Sequence, residues 1–265
     1  MTATLGPAVS MAGHQFRYDM RAFLRNRQAR FFTLALPVIF LVLFGNVFGG
    51  KNDTVAVAGG RMDASVYYVP GIITLGVVAA AFVNLVISVT AQRETGVLKR
   101  RRATPVPASA VIAGRALTAV VVAVAMATVL LAVGWAAYDA RVPARTLPAL
   151  YLTVVVGAMA FCCLGYAVAS VIRDHDAAQP ITQAIILPLY FISGVFVPVD
   201  TLPNWLVQVA GFFPVRHLAA ALLTAFNPHT TGAGVAGRDL LVVVAWGVAG
   251  LVIALRRFSW LPRSR

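Results

Sequence analysis

Long apolar runs constrain this chain more than any other feature of its sequence. Six runs occur, at residues 31–48, 69–91, 110–137, 147–172, 181–197 and 240–255. A helix of about 20 apolar residues crosses the hydrocarbon layer of a bilayer, which is about 30 Å thick. The chain is 60% hydrophobic and only 12% charged, whereas soluble domains are about a quarter charged. The sequence therefore predicts an all-α polytopic membrane protein with six transmembrane helices.

The distribution of positive charge predicts how these helices are oriented. Cytoplasmic loops of membrane proteins retain Lys and Arg, and most of the 22 basic residues fall on one side if the chain begins inside. Both termini are thus predicted to be cytoplasmic, in a multi-pass protein of the cell inner or plasma membrane. Because the arginines flank apolar runs instead of forming a basic domain, nucleic acid is not a predicted partner.

Two further segments are partly apolar without being spans. In residues 13–30, Phe16, Met20 and Phe23 repeat at helical spacing with arginines on another face, which predicts an amphipathic helix at the membrane interface. That pattern fits an anchor that fixes topology and a helix that takes part in coupling equally well. Residues 198–223 are too apolar for an ordinary loop and too interrupted by proline for a span. We expect a broken hairpin of short re-entrant helices there, at the outer face.

The loop at residues 92–107 is the most informative segment between spans. It carries Glu94, a dense basic run and a Thr104-Pro105 stop before the next apolar run. Its charge indicates a short cytoplasmic helix that presents charge to a partner, although the tendency of basic residues to stay inside would give the same charge.

This loop resembles the R-E-x-G-x-L-x-x-L-x-x-T-P segment of ABC-2 type permeases, especially the drug-resistance branch of actinobacteria. The resemblance extends over nearly the whole chain and includes the segments 193–198 and 202–205 after the fifth run. Two positions depart from it: Gln92 stands where the family often has an acidic residue, and Arg101 where it often has leucine. The matching residues are Arg93, Glu94, Gly96, Leu98, Thr104 and Pro105.

The resemblance implies that residues 1–265 form a single ABC-2 type transmembrane domain. It implies that loop 92–107 is a coupling helix that docks on a separate nucleotide-binding ATPase subunit, which holds the ATP and Mg²⁺. This chain would then carry no cofactor and would not itself be an enzyme. It would form half of a dimeric unit with a second permease subunit, a copy or a paralogue. The predicted coupling residues are Arg93, Glu94, Gly96, Leu98, Lys99, Arg100, Arg101, Arg102, Thr104 and Pro105, with a lesser contact from Arg173, Asp174, His175 and Asp176.

Other motifs point to packing rather than to chemistry. Residues 45–52 nearly spell a phosphate-binding loop, but Asn52 replaces the Ser or Thr that holds Mg²⁺. Gly45 and Gly49 instead predict a close helix–helix contact, including one between two copies. The loop at residues 173–176 offers too few ligands for a metal, and no metal site is predicted. The polar residues Asn84, Ser88, Gln183 and Ser193 either line a substrate path or form hydrogen bonds between helices.

The cargo follows from the resemblance and from the apolar spans. The predicted function is outward movement of an amphipathic or lipophilic compound, such as a drug, an antibiotic or a lipid-like metabolite. Export of a lipid-linked glycan is an alternative that no residue excludes. An ion-coupled secondary carrier is a second alternative, disfavoured because ionisable residues are absent near the centres of the runs. A membrane-embedded assembly protein without transport activity is a third.

Overall fold

The computed structural model describes residues 5–49, 53–97 and 108–257. Helices account for most of this part of the chain, and two five-residue π-helical turns occur, at Phe31–Ala35 and Ala79–Val83. A short 3-10 turn spans Val199–Thr201. The helices are α1 (Leu5–Arg25), α2 (Arg27–Arg30), α3 (Leu36–Val47), α4 (Ala64–Val78), α5 (Asn84–Glu94), α6 (Ala108–Tyr138), α7 (Leu147–Val171), α8 (Ala178–Ile192), α9 (Asn204–Ala210), α10 (Pro214–Phe226) and α11 (Gly237–Arg257).

Four of the described helices are long and apolar enough to cross a membrane: Ala64–Glu94, Val111–Tyr138, Leu147–Val171 and Gly237–Arg257. They correspond to the second, third, fourth and sixth predicted spans. The first and fifth predicted spans form the shorter apolar helices Phe31–Val47 and Ala178–Ile192. The structure therefore supports four spans, or five if the bent pair α9–α10 counts as one, and the predicted number of six is not confirmed.

The continuous helix formed by α4, the second π-helical turn and α5 is the centre of the bundle. Val69, Ile72 and Ile73 are completely buried in it, and α3, α6, α7 and α10 all pack against it. Pro70 interrupts its backbone bonding, and the hydroxyl of Thr74 donates to the Pro70 carbonyl at 2.9 Å. An apolar helix that is covered on most of its circumference lies in the interior of a bundle.

Helices α7 and α11 pack through glycine. A Cβ atom added at Gly247 would lie 2.8 Å from Ala160, and one added at Gly250 would lie 2.9 Å from the backbone of Leu164. Inside a lipid bilayer, helices associate through close packing rather than through exclusion of water, so small residues at a crossing stabilise it. This pair of glycines holds the last described helix against the bundle.

The described chain also contains a β-hairpin, which corrects the all-α prediction. Strands β1 (Thr54–Val57) and β2 (Gly60–Asp63) are antiparallel, with Thr54 opposite Asp63, and Gly59 makes the turn at a φ of 86°. A left-handed residue in a tight turn is normally glycine. The amide of Asn227 donates to the Ala58 carbonyl at 2.7 Å, which ties the hairpin to the loop after α10.

Helices α9 and α10 form a bent pair in the segment where a broken hairpin of re-entrant helices is predicted. They meet at 97°, and Pro214 begins α10 where α9 has ended. Helix α10 is buried, with Leu218, Leu222 and Phe226 at 0% exposure, while Trp205 on α9 is 65% exposed. The side chain of His217 on α10 contacts α11, since its Nδ1 lies 2.7 Å from Oδ1 of Asp239.

Candidate functional site

The predicted coupling residues begin at the end of α5. Helix α5 ends at Glu94, and Gly96 follows it with a φ of 70°, a left-handed conformation that closes a helix and that L side chains rarely adopt. Gly96 therefore lies outside the helix, and Glu94 is exposed. The remaining predicted coupling residues lie outside the described part of the chain: Leu98, Lys99, Arg100, Arg101, Arg102, Thr104 and Pro105.

Arg93 is buried, unlike its exposed neighbour Glu94, and is 3% exposed. Its guanidinium donates to the backbone carbonyls at the end of α7: to Ala169 at 3.0 Å, to Arg173 at 3.2 Å and to Ile172. A cation at a helix C-terminus satisfies carbonyls that have no partner within the helix and opposes the negative end of the helix dipole. Arg93 thus fastens the end of α5 to the end of α7.

The second predicted inner loop lies against the end of α5 at this position. The Thr90 hydroxyl lies 3.3 Å from Nδ1 of His175, and the Asp174 carboxylate accepts the Asp176 backbone N–H at 3.0 Å. Arg173, Asp174 and Asp176 present exposed side chains. The structure therefore brings Glu94 and residues 173–176 to one end of the bundle. We call this end, where α5 and α7 finish and α6 begins, the arginine-rich end.

A cavity of about 660 Å³ opens near the arginine-rich end, between α1, α5 and α6. Its apolar walls include Phe23, Leu85 and Val122, and its polar walls include Asn84 and Ser88. Two of the four predicted path residues therefore lie together in one cavity. Asn84 also bonds to Thr33 at 2.7 Å, and Ser88 accepts bonds from Arg115 and Gln92 at 2.8 and 3.0 Å.

A largely buried ion pair lies in the wall of this cavity. Nε of Arg115 lies 3.1 Å from Oδ2 of Asp19, and the two side chains are only 12% and 9% exposed. Gln15 also donates to the Asp19 carboxylate at 2.8 Å. The sequence interpretation missed this pair, although Asp19 is the only acidic residue before the first apolar run and Arg115 the only charge within the third. Two such solitary, opposite charges are the signal that predicts pairing.

The other two predicted path residues lie elsewhere. Gln183 is exposed on α8, away from the cavity. Ser193 is buried at the opposite end of the bundle, in a separate cavity of about 210 Å³. We call this end, which carries β1, β2 and α9, the hairpin end. The four residues therefore do not line one continuous path in this structure.

Gly45 and Gly49 contact residues of their own chain. A Cβ atom at Gly45 would lie 2.4 Å from the ring of Tyr138, and one at Gly49 would lie 2.7 Å from Cβ of Ser65. The Tyr138 hydroxyl also donates to the Val42 carbonyl at 3.2 Å. The close contact predicted for this glycine pair thus joins α3 to the end of α6 and to the start of α4.

Within the described ranges 5–49, 53–97 and 108–257, no three His, Cys, Asp or Glu side chains lie together in a cluster that could hold a metal ion. Cys162 and Cys163 are free thiols in α7.

Comparison with known proteins shows what this sequence is similar to. The sequence profile described as "ABC-2 type transporter" matches residues 15–227, more than half of the chain. The chain is 27% identical over 158 residues to the "Probable multidrug ABC transporter permease YbhR" of Escherichia coli K12, covering 59% of this chain and 42% of that protein. It is 28% identical over 193 residues to the "Daunorubicin resistance ABC transporter permease protein DrrB1" of Streptomyces coeruleorubidus, covering 70% of this chain and 64% of that one. It is 20% identical over 228 residues to the "Putative transport permease YvfS" of Bacillus subtilis strain 168, covering 86% and 89%.

Proposed function

This chain belongs to the ABC-2 type transporter family, and we propose that it is the membrane permease subunit of an ATP-driven exporter of lipophilic compounds. The observation that carries the proposal is the family match over residues 15–227. In the proposed exporter, a separate nucleotide-binding subunit binds ATP and Mg²⁺ and hydrolyses the nucleotide. A second permease subunit, a copy of this chain or a paralogue, completes the translocation unit.

The arginine-rich end is the proposed docking face for the ATPase. Arg93 joins α5 to α7 there, and Thr90 contacts His175. The two loops that follow these helices therefore begin next to each other. Glu94 is exposed at this end of the bundle, where a partner subunit could contact it. A rigid contact between two helix ends supports transmission of a subunit rotation from a docked ATPase into both helices at once.

The cavity between α1, α5 and α6 is the proposed site where cargo enters from the inner leaflet. Its walls combine apolar side chains with Asn84, Ser88 and the paired charges of Asp19 and Arg115. Cavities of this size that are mainly apolar, with a few fixed polar groups, are typical sites for amphipathic small molecules. The names of the E. coli and Streptomyces relatives, which mention multidrug transport and daunorubicin resistance, support a lipophilic cargo.

Transport in inverted membrane vesicles tests the function. Vesicles that contain this chain and its ATPase are expected to accumulate a lipophilic cationic dye when ATP is added, and vanadate should abolish the accumulation. A lipid-linked oligosaccharide is assayed in parallel. Uptake of the oligosaccharide without any dye uptake would replace drug export by glycan export. Transport that an uncoupler stops and vanadate does not would instead indicate a secondary carrier.

Variants at Glu94 and Gly96 test the docking face. Glu94→Ala and Gly96→Val should lower the yield of the complex with the ATPase, or the transport per ATP hydrolysed, while membrane insertion is unchanged. Gly96→Asn is the matched control, because asparagine tolerates a left-handed φ far better than valine. Asp139→Asn controls for loss of a carboxylate at the hairpin end, where Asp139 forms an exposed pair with Arg141. Wild-type complex yield and coupling in both Glu94→Ala and Gly96→Val would refute the assignment.

A further inference from the structure

The small cavity at the hairpin end has the character of a binding site. It measures about 210 Å³ and lies between α4, the end of α8 and α10. Its walls include Tyr67, Gly71, Ser193, Gly194 and Arg216. A water molecule occupies about 30 Å³ of liquid, so this cavity has room for a group of several heavy atoms.

Two buried polar atoms in this cavity have no hydrogen-bond partner among the described residues. They are Oγ of Ser193 and Nη1 of Arg216. Ser193 is only 2% exposed, so bulk solvent does not reach its hydroxyl. Unsatisfied buried donors are rare in folded proteins and each costs free energy. Both residues line the same cavity, Ser193 from the end of α8 and Arg216 from α10.

Arg216 also has no acidic side chain in direct contact within the described chain. None of the ion pairs found within 4.0 Å there involves Arg216. The nearby acidic residue Asp200, in the 3-10 turn that follows α8, is exposed to solvent. Arg216 is half-buried, and its Nη1 is closed off from solvent. A guanidinium nitrogen withdrawn from water is normally paired with an anion, so we expect the missing partner in this cavity to be negatively charged.

Glycine maintains the walls of the cavity. Gly194 has a φ of 84°, and a Cβ atom at Gly71 would lie 2.6 Å from the Val195 carbonyl. The backbone after α8 therefore packs directly on α4, in a conformation that leaves the Ser193 hydroxyl on the cavity wall. Collapse of the cavity onto Arg216 would require this backbone to move.

We propose that this cavity binds a phosphate group, held by the guanidinium of Arg216 and the hydroxyl of Ser193. Guanidinium and phosphate match in charge and in hydrogen-bond geometry. The hairpin end faces the outer membrane–water boundary in the proposed orientation, where phospholipid headgroups and free phosphate are both present. The site is a feature of the chain itself, and its test requires neither the ATPase nor the cargo.

Calorimetric titration of the purified chain in detergent tests the site with three probes: short-chain phosphatidylglycerol, short-chain phosphatidylcholine and inorganic phosphate. We expect saturable binding that Arg216→Gln weakens by about 10- to 100-fold, the range of a hydrogen bond to a charged group. Ser193→Ala should weaken it by about 2- to 10-fold, as for a neutral hydrogen bond. Arg238→Gln is the matched control, since Arg238 is an exposed arginine at the same end, and it should leave binding unchanged.

The three probes separate the two sources of phosphate. Binding of the lipids alone assigns the site to a headgroup, and binding of inorganic phosphate with equal affinity assigns it to a free anion. If Arg216→Gln does not fold, Arg216→Lys and Ser193→Ala decide the question, because both keep the charge of the cavity. Absence of saturable binding for all three probes, or equal binding by wild type and the folded Arg216 and Ser193 variants, would overturn the proposal.

Discussion

At the scale of single residues, neighbours in the coupling segment differ in what they contact. Arg93 is buried and donates to the Ala169 and Arg173 carbonyls, whereas Glu94 is exposed. Both match the same family segment, so the segment alone assigns them the same role. The structure separates a residue that holds two helices together from one that is available to a partner subunit.

Replacement of Arg93 should therefore act on stability. Arg93→Ala removes the donor from the last carbonyls of α7, and a buried polar group left without its partner costs about 1–3 kcal/mol. Arg93→Lys should recover only part of this loss, since an ammonium group lacks the planar fork of guanidinium. Unfolding of the purified chain in micelles by heat or denaturant measures the change.

The control for this prediction is Arg173→Ala, which removes an exposed arginine side chain at the same end and keeps the backbone carbonyl that Arg93 uses. We expect it to unfold like wild type. If Arg93→Ala also unfolds like wild type but fails to assemble with the ATPase, Arg93 contacts the partner directly.

At the scale of helices, glycine decides which elements approach closely. Gly247 and Gly250 bring α11 within backbone contact of α7, and Gly45 admits the ring of Tyr138 against α3. The sequence interpretation identified Gly45 and Gly49 as a packing pair and overlooked Gly247 and Gly250. The spacing of glycines indicates a contact, but the identity of the opposing helix follows only from the assembled bundle.

Substitution at Gly250 should release α11 from the bundle. Gly250→Leu places a side chain where even a Cβ atom lies 2.9 Å from the Leu164 backbone, so the crossing has to open and its close packing is lost. Gly237→Leu, on the same helix, meets nothing within 4 Å of the added Cβ atom and serves as control. The fraction of monodisperse protein after detergent extraction should fall for Gly250→Leu only. An equal yield for both variants would show that this crossing contributes nothing to the fold.

At the scale of the whole molecule, the described chain is a bundle with two unlike ends. The arginine-rich end carries Glu94 and residues 173–176, and the hairpin end carries β1, β2 and the bent pair α9–α10. The distribution of Lys and Arg predicts that the first end is cytoplasmic. Labelling of introduced cysteines tests this orientation.

In a background with Cys162→Ala and Cys163→Ala, single cysteines replace two exposed residues, Asp176 and Thr201. A membrane-impermeant maleimide should label Thr201→Cys in intact cells, because the 3-10 turn lies at the outer face in the predicted orientation. It should label Asp176→Cys only after the cells are permeabilised. The opposite pattern would reverse the topology and place the proposed coupling loops outside.

The sequence by itself determined the features that depend on local pattern. Apolar runs predict membrane helices, because crossing lipid requires consecutive apolar residues and internally bonded backbone. The proline-interrupted segment 198–223 predicted the bend at Pro214 for a similarly local reason. The number and length of the membrane helices did not follow from the apolar runs alone, because the first and fifth runs form short helices. Residues 54–63 form a β-hairpin that the runs did not predict. The alternating side chains and the glycine turn of that hairpin were its available signal.

The tertiary structure alone decided which distant polar groups meet. Asp19 pairs with Arg115, Arg93 binds the end of α7, and Ser193 shares a cavity with Arg216. Each partner lies in another helix, and the choice among many possible partners depends on crossing angles and on glycines such as Gly71 that let backbones approach. In a membrane interior, apolar faces specify no particular neighbour, so buried polar groups and close contacts select the arrangement.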